Sequence, residues 1–172
     1  MTLGTGGEDV KIGIAAYSFS NSSEPTAYTV QGFWEWDESA LGAYSSRYDV
    51  IGLNFQGSTI GYYYNCQSNN IHTAGSVNYD LLDYDDNGVA YTQEDFNILT
   101  EGAMWAKVVS PETDTSKSFN VSFIYEYFSG DPDPSYLDEL VEYIVGLAFN
   151  IPSPINSNER FDVIDYLMYG NN

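Results

Sequence analysis

The chain has 172 residues and a mass of 19.2 kDa, the length of one domain able to bury its own core without cross-links. Its 25 acidic residues against 5 basic ones give a formal net charge of −20, which excludes nucleic-acid binding and disfavours anionic membrane surfaces. A single cysteine, Cys66, excludes a disulfide framework or a cysteine-rich zinc module, and no apolar run approaches the ~20 residues of a bilayer span.

Residues 1–8 read as a flexible lead containing Gly4, Thr5, Gly6 and Gly7, without the basic and apolar regions of a signal peptide. From Asp9 to Gly130 the dominant period is two. Val10, Ile12 and Ile14 alternate with Lys11 and Gly13. Tyr28, Val30, Trp34 and Trp36 share one side of a stretch whose other side holds Thr29, Gln31, Phe33 and Glu35. Similar runs follow at Ile51–Phe55, Ile60–Tyr64, Val77–Leu81, Met104–Val108 and Phe119–Tyr127. These seven strand-like runs are rich in β-branched and aromatic residues and are separated by Gly, Asn, Ser and Pro clusters. Each has one apolar face, so residues 9–130 are expected to form a mainly β domain: an antiparallel two-sheet β-sandwich.

Beyond Asp131-Pro132-Asp133-Pro134 the period becomes helical. Tyr136, Leu137, Leu140, Val141, Ile144, Val145 and Ala148 form a stripe opposite Asp138, Glu139 and Glu142. Ser135 is the expected N-cap, with Asp138 completing a capping box, and Asn150–Pro154 ends the helix. A second short helix is expected from Arg160 to Tyr169. Segment 131–172 therefore packs on the sandwich or on a neighbouring copy. No repeat of 20–50 residues is present, which excludes solenoids and propellers.

The sharpest chemical motif is Asp83-Tyr84-Asp85-Asp86-Asn87-Gly88-Val89-Ala90-Tyr91-Thr92-Gln93-Glu94. It reads D-x-D-x-N-G-x5-E and resembles the EF-hand loop. Calcium takes six to eight oxygens, which alternate residues supply while the chain curls round the ion. The resemblance implies a side-chain oxygen each from Asp83, Asp85 and Asn87. It further implies the carbonyl of Val89, both carboxylate oxygens of Glu94, a sharp turn at Gly88, and a helix leaving through Phe96, Leu99 and Thr100. The entering segment, Val77–Tyr84, alternates like a strand, an arrangement similar to the calcium loops of secreted bacterial proteins such as dockerins. The competing reading is an acidic surface turn. A degenerate echo at residues 154–165 resembles half a dockerin, with Asn156, Asn158, Asp162 and Asp165 at ligand positions. There Pro154 takes the first ligand's place and Glu159 the glycine's, which favours a capped helix over a metal site.

Trp34 and Trp36, the Tyr62–Tyr64 run, Tyr125 and Tyr127 make an aromatic-rich sheet. They are read either as core, as a platform for sugar rings, or as a protein-contact patch. The Trp34–Trp36 run followed by Asp49-Val50-Ile51-Gly52-Leu53 resembles β-sandwich ectodomains of secreted bacterial proteins. Enzyme readings are thin: His72 is the lone histidine, Cys66 with His72 lacks an orienting partner, and Glu35 with Glu126 is an unspecific carboxylate pair. Asn21 and Asn120 head glycosylation sequons. The residues together point to a calcium-binding, secreted or cell-surface module with a structural, adhesive or assembly role. Its expected partners are calcium and either a second copy or a glycan. A calcium-dependent carbohydrate-binding module is the alternative, a glycoside hydrolase the third, and a salt-adapted cytosolic or virion protein the rival location.

Overall fold

A computed structural model describes residues 2–5, 10–19, 27–38, 48–55, 60–94, 98–109, 121–128, 132–146 and 160–163. Alternation along residues 27–36 becomes strand β3 (Ala27–Trp36), in which Tyr28, Val30, Trp34 and Trp36 are buried while Glu35 is exposed. Two five-stranded antiparallel sheets form on this principle. Sheet A contains β1 (Thr2–Thr5), β2 (Val10–Phe19), β3, β5 (Ile60–Asn70) and β8 (Thr100–Val109), in the order β1-β2-β3-β8-β5. Sheet B contains β4 (Tyr48–Asn54), β6 (Tyr79–Asp85), β7 (Gly88–Glu94), β9 (Ser122–Glu126) and β10 (Arg160–Val163), in the order β10-β9-β4-β7-β6. The molecule is a β-sandwich with one described helix.

The inner faces meet in an aromatic core. Trp34 lies against Phe123 and Tyr125, with ring centroids 6.3 and 5.6 Å apart, and Trp36 meets Tyr127 edge-on at 5.1 Å. Buried tryptophan needs a partner for its N–H, and here a polar chain links the sheets. Trp34 Nε1 donates to Thr100 Oγ1 (3.0 Å) and Trp36 Nε1 to the Tyr125 hydroxyl (2.9 Å). Gln93 Nε2 donates to both Thr100 Oγ1 (2.7 Å) and the Tyr125 hydroxyl (3.1 Å), and Gln93 Oε1 accepts from Ser68 Oγ (2.7 Å). The Tyr125 hydroxyl donates in turn to the fully buried carboxylate of Asp49.

Helix α1 (Pro134–Ile144) covers the outer face of sheet B. Tyr136, Leu140, Tyr143 and Ile144 form a second core with Val50, Ala90, Ile124 and Phe128. The Tyr136 hydroxyl donates to the buried Glu126 carboxylate. Two glycines allow the close approach: a Cβ on Gly52 would meet the Ile144 side chain at 2.5 Å, and one on Gly88 would meet the Ile144 carbonyl oxygen at 2.0 Å. The helix C-terminus is closed by Gly146 in left-handed geometry (φ 88°) and by the side-chain amide of Asn54. That amide donates to the carbonyls of Tyr143 and Ile144 at 3.2 and 2.9 Å.

Several expectations change. The lead is not wholly free, because β1 pairs with β2 from Thr2↔Ile14 to Thr5↔Lys11. The cap of α1 is Asp133, which accepts from the Ser135 N–H at 2.8 Å; Ser135 lies inside the helix, after Pro134. The helix stops at Ile144 because Gly146 turns the chain four residues before Asn150. Arg160–Val163, expected to be helical, is a strand on β9, where pairing with a ready ladder outweighs a short amphipathic pattern. The remainder of that expected helix and most of the echo at 154–165 lie outside the described residues, as do the sequons at Asn21 and Asn120.

Candidate functional site

The twelve residues that resemble a calcium loop form a β-hairpin. β6 pairs with β7 through Asp83↔Ala90, Tyr84↔Val89 and Asp85↔Gly88, leaving Asp86-Asn87 as a two-residue turn. Asp83 and Asp85 are exposed and turn back on their own chain, accepting from the N–H of Tyr84 (2.8 Å) and Asp86 (2.6 Å). The Asn87 carbonyl accepts from the Phe55 N–H at 2.8 Å. Val89 is fully buried in a strand with neighbours on both sides, so its backbone belongs to the ladder. Glu94 lies at the far end of β7, about 20 Å from Gly88 at the usual rise per residue.

In this conformation Asp83, Asp85, Asn87, Val89 and Glu94 do not surround one ion and do not fit an EF-hand site. Among the described residues no group of three metal-binding side chains converges. Of the expected exiting helix, residues 92–94 and Thr100 belong to strands, Leu99 is in neither helix nor strand, and Phe96 lies outside the described residues. Gly88 has another job than the sharp turn: it lets the end of α1 touch the sheet.

Cys66 and His72, already set aside as a thiol dyad, lie in different surroundings. Burial pushes the Cys66 thiol up to about 12, whereas His72 is exposed in the turn after β5. Glu35 is exposed on sheet A and Glu126 is buried beneath α1 on sheet B, so they cannot act on one substrate.

A different site emerges on the outer face of sheet A. No described element packs over it. Register arranges its outward side chains in rows across β2, β3, β8 and β5: Gly13–Phe33–Ala103–Gln67, then Ala15–Gln31–Trp105–Asn65, then Tyr17–Thr29–Lys107–Tyr63. The floor is low where Gly13, Ala15 and Ala103 stand. Phe33 lies over Gly13, since a Cβ there would come within 2.2 Å of its ring. Tyr17 and Tyr63 are 55% and 49% exposed, and the Lys107 ammonium sits 5.7 Å from the Tyr63 ring centre. A depression of about 370 Å³ opens at the Phe33 end, bordered by Glu35, Gln67, Asn69, Glu101 and Ala103.

Charge sets this face apart. Its charged residues on these four strands are Lys11 and Lys107 against Glu35 and Glu101, which cancel in a chain of net charge −20. The edge strand β6 carries Asp80, Asp83 and Asp85, and its exposed aromatics, Tyr79 and Tyr84, lie among those acids.

Of the sequence's aromatic candidates, Trp34, Trp36, Tyr125 and Tyr127 are core and Tyr63 is on the open face. The side chain of Tyr62 lies outside the described residues. Trp105, Phe33, Gln31, Asn65 and Gln67 were missed as site residues. The signal for Trp105 was its parity, since it falls out of phase with buried Met104, Ala106 and Val108.

No protein-family model matches the sequence, and no curated protein matches it. Among solved structures, the chain is similar to the collagen-binding domain of a Staphylococcus aureus adhesin. The identity is 12%, covering 66% of this chain and 84% of that one, with a TM-score of 0.42. It is also similar to ACE19, the collagen-binding subdomain of the Enterococcus faecalis surface protein ACE, at 9% identity. That likeness covers 92% of this chain and 96% of the other, with a TM-score of 0.46. Among the described residues no helix is long and apolar enough to cross a membrane.

Proposed function

We propose that the protein is a non-enzymatic, extracellular or cell-surface attachment module that holds its ligand on the outer face of sheet A. One observation carries this reading: a sandwich of charge −20 leaves one sheet face uncovered by described elements, charge-balanced and rich in aromatic and carboxamide side chains. Depletion of net charge and enrichment of aromatics mark contact surfaces, because charged groups cost desolvation while flat rings supply area at little entropic expense. The separation of Cys66 from His72 and of Glu35 from Glu126 gives hydrolysis no support.

The test uses the intact chain on a panel of immobilised polymers that includes collagen, a neutral glucan and a neutral mannan. Ala103→Glu places charge and bulk on the floor of the face, and Leu81→Glu does the same on the β6 edge. Retention that Ala103→Glu abolishes and Leu81→Glu leaves intact supports the proposal. Retention that survives Ala103→Glu, or is lost only with Leu81→Glu, contradicts it.

A further inference from the structure

We infer that the ligand on this face is an uncharged polysaccharide, running along the diagonal Phe33–Trp105–Tyr63; this rests on the attachment reading and specifies its ligand. The diagonal follows from register. Phe33 on β3 pairs with Ala103, Trp105 stands two residues further along β8, and Tyr63 on β5 pairs with Lys107, two residues further again. Each step crosses one strand and climbs one row, so successive side chains start about 8 Å apart and the strip spans about 16 Å between its end residues. Because Phe33 leans away over Gly13, its ring extends the strip further toward β2.

Both requirements of sugar recognition meet here. Aromatic side chains in successive rows of one sheet face can pack against the C–H surfaces of consecutive sugars. Carboxamides, each able to donate and accept, flank them: Gln31 and Asn65 pair with Trp105 on either side, and Gln67 stands in the Phe33 row. Hydroxyl-rich chains need that dual capacity. The charge pattern selects among polysaccharides. A molecule of net charge −20 repels polyuronates and sulfated glycans, and the face holds only Lys11 and Lys107 to offset its two glutamates. An uncharged chain pays no such repulsion.

Trp105 also supplies a private signal. The other two tryptophans, Trp34 and Trp36, are 2% and 3% exposed and only Trp34 borders the depression, so a contact on the face perturbs indole fluorescence chiefly through Trp105.

The experiment is affinity electrophoresis and fluorescence titration of the intact chain with soluble neutral β-glucan, xylan, mannan and starch, alongside polyuronate, heparin and soluble collagen. At least one neutral polysaccharide should retard the wild type and shift its tryptophan emission, while polyuronate and heparin do neither. Trp105→Ala should weaken retardation by about tenfold or more, and Tyr63→Ala should weaken it less, with melting of the exposed-site variant Tyr63→Ala unchanged. The inference is overturned if no neutral polysaccharide binds, if an acidic one binds more tightly, or if folded Trp105→Ala and Tyr63→Ala bind like the wild type. If collagen alone binds and Trp105→Ala abolishes it, the polysaccharide inference fails while the attachment face stands. If a polymer binds and neither variant weakens it, both fail.

Discussion

The two outer faces of the sandwich are built from the same alternation and finish differently. On sheet B the outward residues Val50, Ala90 and Ile124 are apolar, and α1 lies over them with Gly52 and Gly88 thinning the sheet to admit it. On sheet A the outward residues are Gln31, Phe33, Asn65, Ala103 and Trp105, a mixture that is half-buried without a described cover. An aliphatic face demands a permanent partner because water is a poor one. An aromatic and amide face is wet yet adhesive, and can exchange water for a ligand. The contrast therefore separates a stability face from a binding face.

The largest expected effect breaks the stability face. Tyr136→Ala removes a fully buried ring and the hydroxyl that donates to Glu126, and should cost about 3–5 kcal/mol of unfolding free energy. Trp105→Ala on the opposite face, where the ring is only half-buried, should cost clearly less than that while removing binding. Denaturant melts of both variants check the contrast; equal losses would erase it.

A smaller effect tests the glycine at the helix end. Gly88→Ala pushes a Cβ into the Ile144 carbonyl, which is backbone and cannot swing aside, so a loss of about 1–3 kcal/mol is expected. If Gly88 instead served a metal-binding turn, the loss would appear only with calcium present and vanish in chelator.

The smallest effect concerns Glu94. Because it stands a strand's length from the hairpin turn, Glu94→Ala should leave any calcium affinity unchanged in titration calorimetry. Abolished binding would mean that the hairpin rearranges around the ion into the loop its spacing resembles.

These outcomes also mark how far the residues alone reveal the molecule. The alternation of Val10–Ile14, Tyr28–Trp36 and Met104–Val108 is legible because each strand buries one side, and the stripe of Tyr136–Ile144 is legible because a helix repeats on its own. The hairpin at Tyr79–Glu94 is not. The string Asp85-Asp86-Asn87-Gly88 suits a tight strand reversal as well as a calcium turn. What decides is β4, which pairs with β7 from Tyr48↔Glu94 to Asn54↔Gly88, a partner some forty residues distant. The same limit hides the binding face. Parity points Trp105 outward, but only the register of β3, β8 and β5 brings Phe33, Trp105 and Tyr63 into line. Asn54 as the closing group of α1 is equally non-local, lying 89 residues from Tyr143.

Hydroxyl-radical footprinting of the intact chain, free and bound to the polymer that retains it most strongly, tests the central claim most directly. Phe33, Trp105 and Tyr63 should lose reactivity on binding, while Tyr79, Leu81 and Tyr84 on the β6 edge keep theirs. Protection of the β6 edge with unchanged reactivity at Trp105 would contradict the assignment of sheet A as the ligand face.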